Sequence, residues 1–198
     1  FPKLEVTFHY YRYDGDYTGW NLWLWEEGEK GRALEFSACD DFGQVARITL
    51  EEQTDGVELG FLLRKSVLGN SWFAKDGTDR YLPLYRASDE GKLEVWLMQD
   101  DPHIYYREDD VDREPRIISA LLDDVQTIRV NCHIPVQQLD GKWGFRVFSK
   151  DEEVPLSEAH PQYSGGGSPK AFVLQTKDPL DLTKHYTLRH ATHGSAPV

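Results

Sequence analysis

Trp20-Asn21-Leu22-Trp23-Leu24-Trp25 carries three of the six tryptophans in this 198-residue chain. Leu22 and Leu24 alternate with Trp23 and Trp25, so on a strand the leucines leave one face and the two indoles the other. That alternation marks a β-strand with one buried and one open side. Two outcomes fit it. The indoles form an open platform for the apolar C–H faces of sugars, with nearby carboxylates and amides bonding the hydroxyls. Alternatively, one Trp fills the core and the other two sit between sheets.

Working outward, Leu4, Val6, Phe8 and Tyr10 recur at period two and predict a first strand within residues 4–13. Asp14-Gly15-Asp16 turns the chain back into the Trp segment. The run Tyr10-Tyr11-Arg12-Tyr13, with Tyr17, adds polar aromatic surface beside it. Glu26 to Gly31 is a charged connection, and residues 32–36 and 44–50 are strand candidates divided by Asp40-Asp41-Phe42-Gly43. Val57 to Arg64 predicts a hydrophobic strand after Asp55-Gly56. Leu93-Glu94-Val95-Trp96-Leu97 alternates, and Ile104-Tyr105-Tyr106 closes the series. Hardly any segment before residue 108 has helical length and period, so the region is expected to be an all-β sandwich.

The charged run Glu108 to Glu114, ended by Pro115, marks a break. Domains are therefore expected at 1–110 and 111–198, each able to bury a core. Strands at 116–121, 126–131, 143–148, 171–174 and 185–188 make the second domain all-β as well. Tyr163 to Pro169 reads as a flexible loop by composition, and Ala191 to Val198 as a frayed tail. Trp20 and Trp96 are expected in the core.

Composition narrows the function. A formal net charge of −12 opposes nucleic acid and anionic membranes, so neither is expected as a partner. No run approaches the roughly 18 apolar residues needed to span a bilayer. The start shows no basic and then apolar leader, which a secreted protein with its signal already removed would also lack. There is no phosphate-cradling glycine loop, HExxH pair or nucleophile elbow. With 34 acidic residues, accidental carboxylate pairs are certain and no pair is singled out for glycoside chemistry. None of the seven histidines has metal-binding spacing, and His190 and His193 fall in the expected tail. No catalytic residue, metal or cofactor is expected. Cys39 and Cys132 are expected to be two buried free thiols.

The stretch 65–80 is expected to be a long polar loop holding Trp72-Phe73. Folded over the Trp23/Trp25 face, Trp72 would add a third ring at an angle, with Lys75 as donor and Asp79 as acceptor for vicinal hydroxyls. Equally, Lys75, Asp76, Asp79 and Arg80 fit a solvated turn with weak ion pairs.

His9 to Trp25, HYYRYDGDYTGWNLWLW, closely resembles the start of the starch-binding module at the N-terminus of bacterial pullulanases, carbohydrate-binding module family 41 or pullulanase-associated domain. The likeness continues through Asp40-Asp41-Phe42-Gly43, Trp72, Lys75-Asp76, Asp79-Arg80, Leu93 to Leu97 and Ile104 to Tyr106, roughly residues 4–108. It implies an immunoglobulin-like β-sandwich that binds pullulan, amylopectin, glycogen and malto-oligosaccharides without catalysis. It further implies a platform of Trp23 and Trp25, a third ring at Trp72, and polar ligand residues Lys75 and Asp79. Ser66 to Leu68 is more apolar than the family pattern. Pro115 to Ala120, Thr127 to Val130 and Pro179 to Thr187 resemble, more weakly, the β-sandwich linker domain that follows this module. The resemblance implies a C-terminal pullulanase-type catalytic barrel, cleaving α-1,6 linkages, in the same polypeptide. Such a barrel needs about 250 residues, so the chain is expected to be an N-terminal piece of an extracellular or cell-surface enzyme. A structural role, with the Trp cluster packed on another domain of that enzyme, is the alternative. An independent glycosidase would require a positioned carboxylate pair.

Overall fold

The structure, a computed structural model, describes residues 3–51, 57–163 and 168–198. It is all-β and divides into two compact units, Phe1–Asp112 and Arg113–Val198. Asp55-Gly56, which precede the strand expected from Val57, and the glycines of the 163–169 loop lie outside the described residues.

Among its described residues the first unit has eight strands: β1 (Lys3–Tyr11), β2 (Trp20–Glu26), β3 (Arg32–Leu34), β4 (Ala38–Cys39), β5 (Gln44–Glu51), β6 (Glu58–Val67), β7 (Asn70–Pro83) and β8 (Lys92–Met98). They form two four-stranded sheets, β4-β5-β1-β8 and β3-β2-β6-β7. β1 runs antiparallel to β5 and parallel to β8. The period-two apolar residues predicted for β1, Leu4, Val6, Phe8 and Tyr10, are all fully buried. They meet Leu22 and Leu24 of β2 and Leu59, Phe61 and Leu63 of β6 in one core. Phe8 and Phe61 join the sheets edge to face, with ring centres 5.3 Å apart. Burying each such side chain contributes about 1.5–3 kcal/mol, so this alternation fixes which face of β2 is left to solvent.

The second unit holds β9 (Ile117–Asp124), β10 (Thr127–Cys132), β11 (Phe145–Ser149), β12 (Glu152–Val154), β13 (Leu156–Gln162), β14 (Ala171–Thr176), β15 (Thr187–His190) and β16 (Gly194–Pro197). Its sheets, β13-β14-β10-β9 and β12-β11-β15-β16, enclose a core that includes Ile128, Val130, Phe145, Phe172, Leu174 and Leu188.

Several expectations are corrected. Residues 65–80 are no loop: β6 and β7 form a hairpin whose turn is Leu68-Gly69, both at positive φ. The strand pattern was hidden by two register shifts, at Phe61/Leu63 and Lys65/Val67, which break the period of two on β7. The tail is no frayed end, because β16 pairs with β15 and Ala196 and Val198 pack on the core. That buries His190 and His193, with ring centres 4.9 Å apart. Trp20 is in the core, but Trp96 lies on the outer side of β8, stacked on His9 at 4.8 Å. Cys132 is buried as expected, whereas Cys39, on a two-residue edge strand, is exposed.

Candidate functional site

On β2 the side chains that face away from the core are Asn21, Trp23 and Trp25. Register carries this face across the sheet in rows. Trp25 pairs with Gly60, which pairs with Tyr81. Trp23 pairs with Leu62, which lies opposite the bulge of residues 77–79. Asn21 pairs with Arg64, which pairs with Lys75. Both tryptophans are partly exposed. Each indole lies where its neighbour has no side chain: a Cβ on Gly31 would come within 2.2 Å of Trp23, and one on Gly60 within 2.2 Å of Trp25. Glycine at these two positions is therefore what allows the rings to settle onto the sheet.

Trp72 leaves β7 at the other register shift, where residues 71–73 lie opposite Ser66, and reaches Trp23, ring centres 5.3 Å apart and planes at 69°. Trp72 is 45% exposed, and Lys75 Nζ lies 5.4 Å from its ring centre. Trp23, Trp72 and Lys75 are thus brought together as one aromatic corner with a cation at its edge. Trp25 forms a second corner with Tyr81, centres 6.1 Å apart and planes at 86°. Asp79 is exposed in the bulge, with no hydrogen bond or ring contact to the other four predicted residues among the described residues.

The sequence reasoning missed Arg64. Its guanidinium carbon lies 4.4 Å from the Trp23 ring centre and 4.7 Å from that of Trp72. The side chain is buried, and its Nε donates to Asn21 Oδ1 at 2.9 Å. Burial pushes its pKa down, against the pull of Glu35; an arginine stays charged regardless. Arg64 holds the two rings at their angle by cation–π attraction, about 2 kcal/mol for a desolvated pair. Tyr81 was missed as well. For Arg64 the signal was present, because Gly60, Leu62 and Arg64 share a period of two after the buried Leu59, Phe61 and Leu63.

Part of the expected polar surface is core. Tyr10 donates to Asp76, and Arg12 bonds Tyr10 at 2.8 Å and grips Asp14 through two nitrogens at 2.8 and 3.2 Å. Asp76 also accepts from the Asp100 N–H at 2.9 Å, and Arg12 covers the Trp20 ring at 4.1 Å. Burial, with Asp76 alongside, pushes the Tyr10 hydroxyl well up, so it stays a donor. This knot ties β1, β7 and the end of β8 beneath the open face. Tyr10, Arg12 and Asp76 therefore belong to the fold, and the aromatic run 10–13 is no ligand surface along its whole length.

A family model described as the bacterial pullanase-associated domain matches residues 4–106. Solved structures similar to the chain include a product complex of SpuA, a multi-modular glycogen-degrading pneumococcal virulence factor, at 17% identity and a TM-score of 0.41. They also include ligand-free PulA of Klebsiella pneumoniae, at 13% identity and 0.48, and its G680L mutant, at 12% and 0.49. The similarity covers 96–100% of this chain but only 21–26% of those chains.

Proposed function

The chain belongs to the bacterial pullulanase-associated domain family, and from that premise we propose that its first unit binds α-glucans without cleaving them. The observation that carries this is the Trp23–Trp72 corner, two rings at 69° with Lys75 at the edge, on the solvent face of the sheet. Splayed rings suit the curved α-1,4 chain: successive glucose faces stack on Trp23 and Trp25 while Trp72 meets a neighbouring sugar. Lys75 donates to, and Asp79 accepts from, adjacent hydroxyls. Aromatic faces read sugar faces more than linkages, so α-1,6 branches of pullulan, amylopectin and glycogen are accepted and flat cellulose is not.

The partner implied is a pullulanase-type catalytic domain of the same polypeptide, at the cell surface or outside the cell. Tethering raises the local concentration of substrate at that domain, an effective-concentration gain needing no new contact. The glycogen-degrading activity named for SpuA is in keeping with this.

Isothermal titration with maltotetraose and a branched pullulan oligosaccharide, with cellotetraose as control, tests the proposal. Saturable heat with the α-glucans alone, no reducing ends released, and loss of binding in W23A/W25A are expected. No heat with any α-glucan would overturn it and leave interdomain packing as the role of the Trp cluster.

A further inference from the structure

The row Trp25–Gly60–Tyr81 crosses three strands with a glycine at its centre. The Trp25 ring lies over Gly60, and Tyr81 stands edge to face against it. The two rings border a cavity of about 460 Å³ that is also lined by Gly60 and by Glu26, Glu27, Glu29 and Glu58. That size lies within the roughly 300–1,000 Å³ of small-ligand pockets. Gly28, at φ +78°, turns the β2–β3 connection so that its glutamates stand on the rim. Tyr81 is 51% exposed although its ring edges Trp25, so the aromatic surface here is presented and not packed away.

We propose that this groove is a further subsite for one neutral glucosyl unit, with Tyr81 as its outer wall and the glutamates as acceptors for sugar hydroxyls. It rests on the glucan-binding function proposed above and extends it. The sugar's apolar face lies against Trp25 or Tyr81, and its hydroxyls donate to the carboxylates in charge-assisted bonds. The rim offers acceptors and negative charge. Glu26 is also held by Arg32 at 3.2 Å, which leaves Glu27, Glu29 and Glu58 as the ready acceptors. A sugar carrying phosphate meets like charge there and is refused, while the corner at Trp23 and Lys75 is electrostatically permissive. The groove thus selects unphosphorylated stretches of a glucan, with rejection built in as much as attraction.

The test is calorimetric titration of the whole chain with maltotriose through maltoheptaose, repeated on Tyr81→Ala, Tyr81→Phe and Glu58→Gln/Glu29→Gln. A maltoheptaose bearing glucose 6-phosphate is the added probe. Affinity of the parent chain is expected to rise with length. Tyr81→Ala should remove about tenfold of that rise, roughly 1.4 kcal/mol; Tyr81→Phe, which keeps the ring, should retain it. The double glutamine variant should gain several-fold for the phosphorylated probe relative to the neutral one. A length dependence untouched by Tyr81→Ala, in a protein that does bind, overturns the subsite alone. Absence of binding to every length by the parent chain overturns the glucan-binding function itself.

Discussion

Arg64 lies with its guanidinium carbon 4.4 Å from the centre of the Trp23 ring. The same group is 4.7 Å from Trp72, so one buried cation sets the angle between two residues that come from different strands. The open face is thereby pre-organised, which limits the entropy lost when a flexible sugar binds.

Arg64→Ala should release Trp72 from Trp23. The expected loss is about 1–2 kcal/mol of stability, from the cation–π contacts and the bond to Asn21, and a larger proportional loss of glucan affinity. Urea denaturation and calorimetry on one preparation separate the two. Unchanged affinity in a stable Arg64→Ala protein would remove the positioning role.

Asp76 and Asp79, three residues apart, should behave oppositely. Asp76 is fully buried between Tyr10, Arg12 and the Asp100 N–H, so Asp76→Ala should cost about 3–5 kcal/mol, as breaking a buried charged network does. Asp79→Ala, on an exposed bulge, should change stability by no more than about 0.5 kcal/mol and act on sugar affinity alone. Denaturation midpoints of the two variants give the comparison.

The second unit should weaken in acid. Burial pushes the pKa of His190 down, against its bond to the Trp143 carbonyl; burial, then the neighbouring His190, pushes that of His193 down. Between these lowered values and the unfolded value of about 6.5, the unfolded chain holds more protons, so stability rises with pH. The contribution is present above about pH 6.5 and is lost as pH falls through the folded values. Hydrogen exchange of β15 and β16 at pH 7.5 and 5.5 should show this, and His190→Gln/His193→Gln should flatten it.

The two thiols should differ in reactivity. Cys39 is exposed, whereas Cys132 is buried and its thiol is pushed up to about 12. A thiol reagent should modify Cys39 in the native protein and reach Cys132 only after unfolding. Rapid native labelling of both would contradict this burial.

Much of the fold was legible because burial imposes a period of two. Leu4 to Tyr10, Leu22 with Leu24, and Leu93 with Val95 declared their buried faces in the sequence alone. The 65–80 hairpin did not, because its two register shifts interrupt the alternation and a leucine takes the left-handed turn position where glycine or asparagine is usual. The C-terminal strand was hidden by its small residues Gly194, Ser195 and Ala196. On the outer face, Trp23, Trp72 and Lys75 lie together, one of the two arrangements the sequence left open. Arg64 had a local signal in its alternation, but its meeting with Trp23 and Trp72, like that of Tyr81 with Trp25, comes through strand register, a long-range property that local spacing does not encode.

The central claim is that the outer face of β2, β6 and β7 binds α-glucan through particular rings. Titrating 15N-labelled protein with maltotetraose while following the indole N–H signals of its six tryptophans addresses this directly. Trp23, Trp25 and Trp72 should shift and saturate together, while Trp20, Trp96 and Trp143 stay still. Shifts confined to the latter three, or none at all at saturating sugar, would contradict the account.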